Sequence, residues 1–326
     1  MSPRPDETIV ARLRACAGAW VSGQTLAHEL GLSRAAVAKR VAALRLRGFQ
    51  IDAQARRGYR LLGLPDSLET AVLVPLLHTR WAGRPLEWVE SCSSTSDVAA
   101  ERARAGAPHG LCVVAEAQER GRGRAGRVWF SPPRANLYLS LLVRPPLPPV
   151  RVPPLALAVG VAAAEALHEQ GLAVDLKWPN DLLVRGRKLG GILIEMASEL
   201  ERVSFAVIGI GVNVNVQAPA LPEELRDRAT SMAIETGHAH VRAQVAACLL
   251  ERVEAWYERF VAEGPGPAAR AFRAAAQATL GRRVRVLSDR DAPIEGVAED
   301  ISDEGALLLR DESGRVQTIV AGEVVL

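Results

Sequence analysis

Between Val113 and Trp129 the chain reads VVAEAQERGRGRAGRVW, a stretch in which Gly121, Gly123 and Gly126 alternate with Arg120, Arg122, Arg124 and Arg127. Glycine admits positive φ and close backbone approach, so main-chain N–H groups can face a ligand there. Guanidinium groups add fixed charge and paired donors suited to carboxylate or phosphate. From Arg120 to Ala164 there is no Asp or Glu, so nothing nearby in sequence neutralises the loop. The pattern points to an anion, or else to a solvated basic loop. It also matches G-x-G-x-x-G, but that dinucleotide motif needs a helix directly after its glycines and an acidic residue about 20 positions on. Pro132 and Pro133 stop such a helix, and the acidic residue is missing.

A second chemical signal is the scarcity of lysine. Only Lys39, Lys177 and Lys188 are lysine among 40 basic residues. An ammonium is a compact, tunable charge, so the two in the body are candidates for a site that arginine would not serve. Lys177 opens Lys177-Trp178-Pro179-Asn180-Asp181, where Pro179 turns the chain and sets Asn180 and Asp181 in a bend. Lys188 falls at the base of a hairpin formed by 182–184 and 189–196 around Arg185-Gly186-Arg187. Ser91 to Ser96 is a run of hydroxyl residues and one cysteine, leading into a helix expected over 97–105. Its side chains suit helix capping or, with the helix N–H groups, a grip on a polar ligand. In the apolar strand FAVIGIGVNV, Gly209 and Gly211 weaken the pairing unless something lies close against them.

The positioning elements follow from patterning. At 326 residues, two or three domains are expected. Residues 1–60 hold 11 Lys+Arg and 4 Asp+Glu, or +7, and the remainder 29 and 33, or −4, which together give the net +3. A basic N-terminal module suggests nucleic acid. Helices are expected over 6–17, capped by Asp6, over 22–30, ended by Gly31, and from the Ser33 cap to about 47. That is a helix-turn-helix, with Arg34, Lys39 and Arg40 on the outer face of its third helix. Strands over 49–53 and 58–62, joined by Gln54-Ala55-Arg56-Arg57, form a wing whose arginines meet phosphates. Residues 61–65 are a hinge. Further helices are expected over 67–77, 155–170, 241–262 and 268–277, and strands near 86–90, 111–114, 136–143, 174–178 and 205–214. From Arg282 onward, short alternating segments separated by Asp289-Arg290-Asp291, Asp303-Glu304-Gly305 and Glu312-Ser313-Gly314 make a small β-barrel. Cys16, Cys92, Cys112 and Cys248 are far apart, which argues against a zinc site or a disulfide framework and fits a reducing, cytoplasmic setting. The polar N-terminus lacks a signal-peptide core, and the apolar run 155–164 is too short to span a bilayer, so no membrane partner is expected.

Taken together, GRGRAGRVWFSP, ANLYLSL, KWPNDLLVRGRKLGGILIE and IGIGVNVN resemble, in this order, the biotin–protein ligases. With the N-terminal helix-turn-helix, the whole chain resembles the bifunctional bacterial type, ligase and repressor of biotin synthesis. The resemblance implies an α+β multidomain chain. Residues 1–63 would form a winged helix-turn-helix, and 64–278 a mixed β-sheet with helices like that of class II aminoacyl-tRNA synthetases. An SH3-like barrel would occupy 279–326. It implies that biotin and ATP give biotinyl-5′-AMP and pyrophosphate, after which a lysine of a biotin carboxyl carrier protein attacks the adenylate.

By the same resemblance, Lys188, Arg122, Arg124 and Lys177 carry catalysis. Lys188 contacts the biotin carboxylate and the α-phosphate, and Lys177 serves the phosphates. Gly121, Arg122, Gly123 and Arg124 close over the adenylate, on a loop disordered when empty and ordered when occupied. Ser94, Thr95 and Gln118 bond the ureido ring, and Gly190 and Gly191 line the pocket. Asn213, after Gly209, faces the adenosine, Trp129 packs at the loop edge, and Asp181 contacts Mg²⁺. Ser96 stands where the family often has Asn. On the DNA side, Ser33, Arg34, Lys39, Arg40, Arg56 and Arg57 are implicated, with homodimerisation on adenylate binding and operator DNA as partner. Three other readings stand beside this one: a ligase without repressor activity, a lipoate-type ligase, and a ligand-sensing regulator without catalysis.

Overall fold

A computed structural model describes residues 5–199, 201–287 and 292–325. The chain divides into two compact units, residues 1–77 with 241–244, and residues 78–240 with 245–326.

In the first unit, α1 (Pro5–Ala15), α2 (Gly23–Leu30) and α3 (Arg34–Leu46) form the helical part. Local chemistry sets their limits. Ser22 Oγ accepts the Thr25 N–H at 3.0 Å, and Ser33 Oγ accepts the Ala36 N–H at 3.1 Å. Gly31 ends α2 in the left-handed region at φ 62°. Ile9, Leu13, Leu26, Val37, Val41 and Leu44 are buried, as the 3.6-residue period requires. Asp6 lies in the first turn of α1 and not at its cap, because the helix starts at Pro5. The wing is an antiparallel pair, β1 (Gln50–Gln54) and β2 (Gly58–Gly63), with Ala53 opposite Tyr59.

This compact unit continues past the wing. Leu68, Val72 and Leu73 of the segment around α4 (Thr70–Leu73) are buried, and α4 gives way at Pro75 to a 3₁₀ turn, so the continuous helix expected over 67–77 does not form. Arg242 is wholly buried and donates from Nε to the Asp66 carboxylate at 3.1 Å.

The second unit is built on seven strands: β3 (Leu86–Cys92), β4 (Cys112–Gln118), β5 (Leu137–Val143), β6 (Asp175–Lys177), β7 (Asp181–Val184), β8 (Arg187–Glu199) and β9 (Arg202–Val212). Their order is β3-β4-β5-β9-β8-β7-β6, with β3 and β4 parallel and the other pairs antiparallel. Between β3 and β4, α5 (Thr95–Arg104) buries Ala99 and Ala103 against Val113, Leu142, Phe205 and Val207. The turn joining β7 to β8 has only two residues, Arg185 at φ 50° and Gly186 at φ 77°, the paired positive values of a tight hairpin turn; Arg187 belongs to the strand. On α6 (Leu155–Glu169), Gly160 admits the Phe272 ring of α9 (Gly266–Ala275), which a Cβ would approach to 3.2 Å. With the 3₁₀ turn before it, Pro149–Glu169 is long and apolar enough to cross a membrane, unlike the shorter run expected from sequence. Yet 61% of its apolar window is buried inside the protein, as befits a core helix. Between them, α7 (Met232–Thr236) and α8 (Arg242–Glu263) complete the helices of the body.

The C-terminal strands β10 (Arg283–Leu287), β11 (Ile294–Ile301), β12 (Leu307–Arg310), β13 (Val316–Ile319) and β14 (Glu323–Val325) form one antiparallel sheet in the order β13-β12-β11-β10-β14. The expected Asp289-Arg290-Asp291 turn lies outside the described residues. This sheet is tied to the rest of its unit by Trp178 Nε1, which donates to the Gly305 carbonyl at 3.0 Å, and by Lys177 Nζ, which donates to the Val324 carbonyl at 3.2 Å.

Candidate functional site

Three groups of side chains meet on the central sheet. The first gathers at the start of α5. Ser94 caps the helix, with its Oγ accepting the Ser96 N–H at 3.3 Å, so the helix begins at Thr95 and not at Asp97. The Thr95 N–H and hydroxyl both donate to Gln118 Oε1, at 2.9 and 3.2 Å, and Gln118 Nε2 donates to Ser131 Oγ at 3.0 Å. Ser140, fully buried on β5, lies 2.8 Å from Thr95 Oγ1 and 3.0 Å from Ser96 Oγ. The sequence reading passed over Ser140, though a hydroxyl inside LYLSLLV, a strand buried at every position, is itself a signal. Ser94, Thr95, Ser96 and Gln118 are thus brought together, with Ser140 as the link.

The second group is a glycine floor. Ser140 pairs with Gly209, Tyr138 with Gly211, and Gly211 with Gly191 across β5, β9 and β8. A Cβ on Gly209 would stand 2.8 Å from Ser96 Oγ, and one on Gly211 2.7 Å from the Trp129 ring. The strand tolerates its glycines because side chains lie directly against them. Trp129 also covers Gly191, and its Nε1 is buried with no hydrogen-bond partner among the described residues. A buried indole N–H over a floor of glycines is an unmet donor that an acceptor on a ligand would satisfy.

Charge forms the third group. Asp181, on β7 opposite Gly191, receives Lys188 Nζ at 2.6 Å on one oxygen and Lys177 Nζ at 2.9 Å on the other. Burial pushes the Asp181 pKa up, but the charges of Lys188 and Lys177 outweigh it and hold the carboxyl below its ordinary value. Lys188 Nζ also lies 5.6 Å from the Trp129 ring centroid. Because both oxygens of Asp181 are engaged by ammonium groups, the residue does not present the free carboxylate expected for Mg²⁺. Among the described residues no group of three His, Cys, Asp or Glu is placed to hold a metal ion. These side chains form no all-protein cage for Mg²⁺, an ion that takes one or two carboxylates together with substrate phosphates.

The glycine–arginine loop folds back on itself. Arg122 bridges to Val128, the Trp129 N–H donates to the Gly121 carbonyl at 2.8 Å, and the Gly123 N–H to the Arg127 carbonyl at 2.7 Å. Gly121 is required, since a Cβ there would lie 2.6 Å from Ser131 Oγ. The loop is not unneutralised, as local sequence implied. Arg122 pairs with Asp97 at 2.9 Å and Glu195 at 2.7 Å, and Arg127 pairs with Glu323 of β14. Arg124 Nη1 reaches Asn180 Oδ1 at 3.5 Å, next to the lysine pair, whereas Arg122 is turned to its two carboxylates. Asn213 differs from expectation as well. Its Oδ1 accepts from Asn136 at 3.1 Å and its Nδ2 donates to the Thr230 carbonyl at 3.0 Å, so it braces the core.

In the first unit, Arg34 and Lys39 are exposed on α3, and Arg56 and Arg57 on the wing turn. Ser33 is the helix cap. Arg40 is partly exposed on the same helix and pairs with Asp6 at 2.9 Å, so its charge is partly offset within the unit.

Residues 88–213 match the Biotin/lipoate A/B protein ligase family, residues 279–326 the Biotin protein ligase C terminal domain, and residues 6–60 an HTH domain. The bifunctional ligase/repressor BirA of Bacillus subtilis is 37% identical over 308 residues, covering 94% of this chain and 94% of its own length. The protein of the same name from Escherichia coli is 32% identical over 324 residues, or 98% of each. Among solved structures, the biotin protein ligase of Aquifex aeolicus in complex with biotin and ATP matches with TM-score 0.64 and 30% identity, over 74% of this chain and 97% of that one. Nearly end-to-end relatives and a matching arrangement of three domains agree with the motifs, and the chain belongs to the biotin–protein ligases of the bifunctional ligase/repressor type.

Proposed function

We propose that the second unit condenses biotin with ATP to biotinyl-5′-AMP and transfers the biotinyl group to a lysine of a biotin carboxyl carrier protein. The observation that carries this reading is the pair Lys188 and Lys177 on one buried carboxylate, beside the glycine floor and the unpartnered Trp129 N–H. Joining a carboxylate to an α-phosphate brings two anions together, and preorganised ammonium charge offsets their repulsion where charge develops. Asp181 keeps both ammoniums in place until the ligand's oxygens take over as partners. Arg124 adds a guanidinium from the loop, which shields the adenylate from water. Release of Arg122 from Asp97 and Glu195 would free a second guanidinium for the same closure. Ser94, Thr95 and Gln118 hydrogen-bond the ureido ring. Mg²⁺ arrives on the phosphates of ATP.

The first unit would bind operator DNA of biotin-synthesis genes, with Arg34 and Lys39 on α3 facing the major groove and Arg56 and Arg57 on phosphates. Adenylate binding would favour a homodimer, whose two recognition helices address two half-sites, and the adenylate would act as corepressor.

Pyrophosphate release tests the catalytic reading. It should require biotin, should not occur with lipoate, and should be followed by biotin transfer to a carrier domain. Lipoate-dependent release without biotin-dependent release would overturn it. A gel shift on a biotin-synthesis promoter at controlled salt tests repression; no shift at full adenylate occupancy would leave a ligase alone. Sedimentation with and without biotin and ATP tests the dimer.

A further inference from the structure

Beside the wing stands an aromatic residue that the DNA-binding reading leaves unused. Trp20 lies in the segment between α1 and α2, and that segment is stitched to the wing. The Val21 N–H donates to the Tyr59 carbonyl at 2.9 Å, and the Tyr59 N–H returns to the Val21 carbonyl at 2.8 Å. The approach is so close that a Cβ on Gly58, at φ 103°, would stand 2.1 Å from the Val21 oxygen. Glycine is therefore required at Gly58, and the indole of Trp20 is set beside the wing by backbone bonds as well as by its own packing.

Two guanidinium groups lie over that indole, those of Arg57 and Arg60, each 4.8 Å from the ring centroid. They differ in what else holds them. Arg60 pairs with Asp52 at 3.2 Å on the neighbouring strand, so its charge is offset within the hairpin. Arg57 has no ion pair among the described residues; its Nη1 donates to Gln54 Oε1 at 3.4 Å. A guanidinium over an aromatic face keeps its N–H edge free, and that edge matches a phosphate. An unsupported arginine at a turn must instead lose its side-chain freedom when it binds.

We propose that Trp20 is a positioning residue of the DNA interface, whose ring holds the Arg57 guanidinium in place for a backbone phosphate of duplex DNA. The proposal rests on the reading of the first unit as a DNA-binding domain. Arg57 makes the contact, and Trp20 acts through it. Since a phosphate contact carries no base information, the effect is the same on any duplex sequence.

The test uses the full chain with biotin and ATP, a short fluorescently labelled duplex of arbitrary sequence, and anisotropy titrations across a range of salt. Arg57→Ala should lower the slope of log affinity against log salt by about 0.9, the value of one phosphate contact. Trp20→Leu should weaken binding about fivefold at about 0.1 M salt and lower the slope in the same sense. The double variant should be no weaker than Arg57→Ala alone, and Trp20→Phe, which keeps a ring, should recover part of the loss. Biotin transfer should be unchanged in all of them. Wild-type affinity and slope in Trp20→Leu, additive losses in the double variant, or no recovery with Phe would each overturn the proposal. Should Trp20→Leu unfold, Arg57→Lys decides. It keeps the charge and loses the planar fork, so binding should weaken about threefold, and wild-type affinity would overturn the idea. If the wild-type chain binds no duplex at all, the DNA-binding reading fails and this inference with it; if it binds and the variants match it, only the inference fails.

Discussion

Two arginine-bearing turns in this molecule handle the same side chain in opposite ways. On the glycine–arginine loop, Arg122 is held by Asp97 and Glu195, and Arg127 by Glu323. On the wing, Arg57 is held by an aromatic ring and, among the described residues, by no carboxylate. A carboxylate neutralises an arginine and must be displaced before the charge can act on another anion. An aromatic face orients the group and leaves its charge available. The difference fits the two ligand classes. A small ligand bound inside a fold has time to exchange partners as a loop closes, whereas a polyanion is met at the surface by charges already exposed.

The contrast can be broken most forcefully by removing one cation from each region. Lys188→Ala should reduce biotin-dependent pyrophosphate release by on the order of 10²-fold or more, because the ammonium is preorganised by the buried Asp181 carboxylate. Arg56→Ala on the wing should lower affinity for DNA only a few-fold, with a salt slope smaller by about 0.9. Comparable losses in the two assays would erase the distinction.

Removing the shared carboxylate comes next. Asp181→Asn should destabilise the second unit by about 1–3 kcal/mol in chemical denaturation, since two ammoniums lose their common partner. The pH dependence has a definite sign. The folded pKa of Asp181 is held below its ordinary value of about 3.9 by Lys188 and Lys177. Its contribution is therefore present above about pH 4 and lost as pH falls through the folded pKa. The stability gap between wild type and Asp181→Asn should shrink on acidification, and a gap that widens would refute the assignment.

Gly211→Ala presses a methyl group into the Trp129 ring and should cost about 1–3 kcal/mol in calorimetry, with weaker biotin binding. Glu195→Gln should have the smallest effect, within about 1 kcal/mol of wild-type stability, because Arg122 retains Asp97. A larger loss would mean that the loop depends on Glu195 far more than a half-exposed pair allows.

Much of this was legible in the sequence, for local reasons. Ser22, Ser33 and Gly31 marked helix ends because capping is decided within a few residues. Lysine scarcity singled out Lys177 and Lys188, and the hairpin register brought both to Asp181. What escaped depends on distant partners. Arg122 meets Glu195 from 73 positions away, and Arg127 meets Glu323 from 196 away, so a loop that reads as unneutralised is partly compensated in space. The resemblance gives Asp181 and Asn213 ligand roles, and only the fold shows that their hydrogen-bonding groups also meet two lysines and a buried amide network. Burial of Leu68, Val72 and Leu73, on a segment with no strong period, extends the core of the first unit beyond the wing, which local pattern does not show.

The serine inside β5 has a directional consequence. The Thr95 hydroxyl proton is committed to Gln118 Oε1, whose two donors lie on the other side of the amide. Each hydroxyl has a single proton, so Ser140 must give its own to Thr95, and Ser96 must give its own to Ser140. Every O–H in the row therefore points the same way, from Ser96 toward Gln118. At its upstream end the row has lone pairs to offer and no hydrogen, and any ligand group that meets Ser96 Oγ there must bring an N–H or O–H of its own.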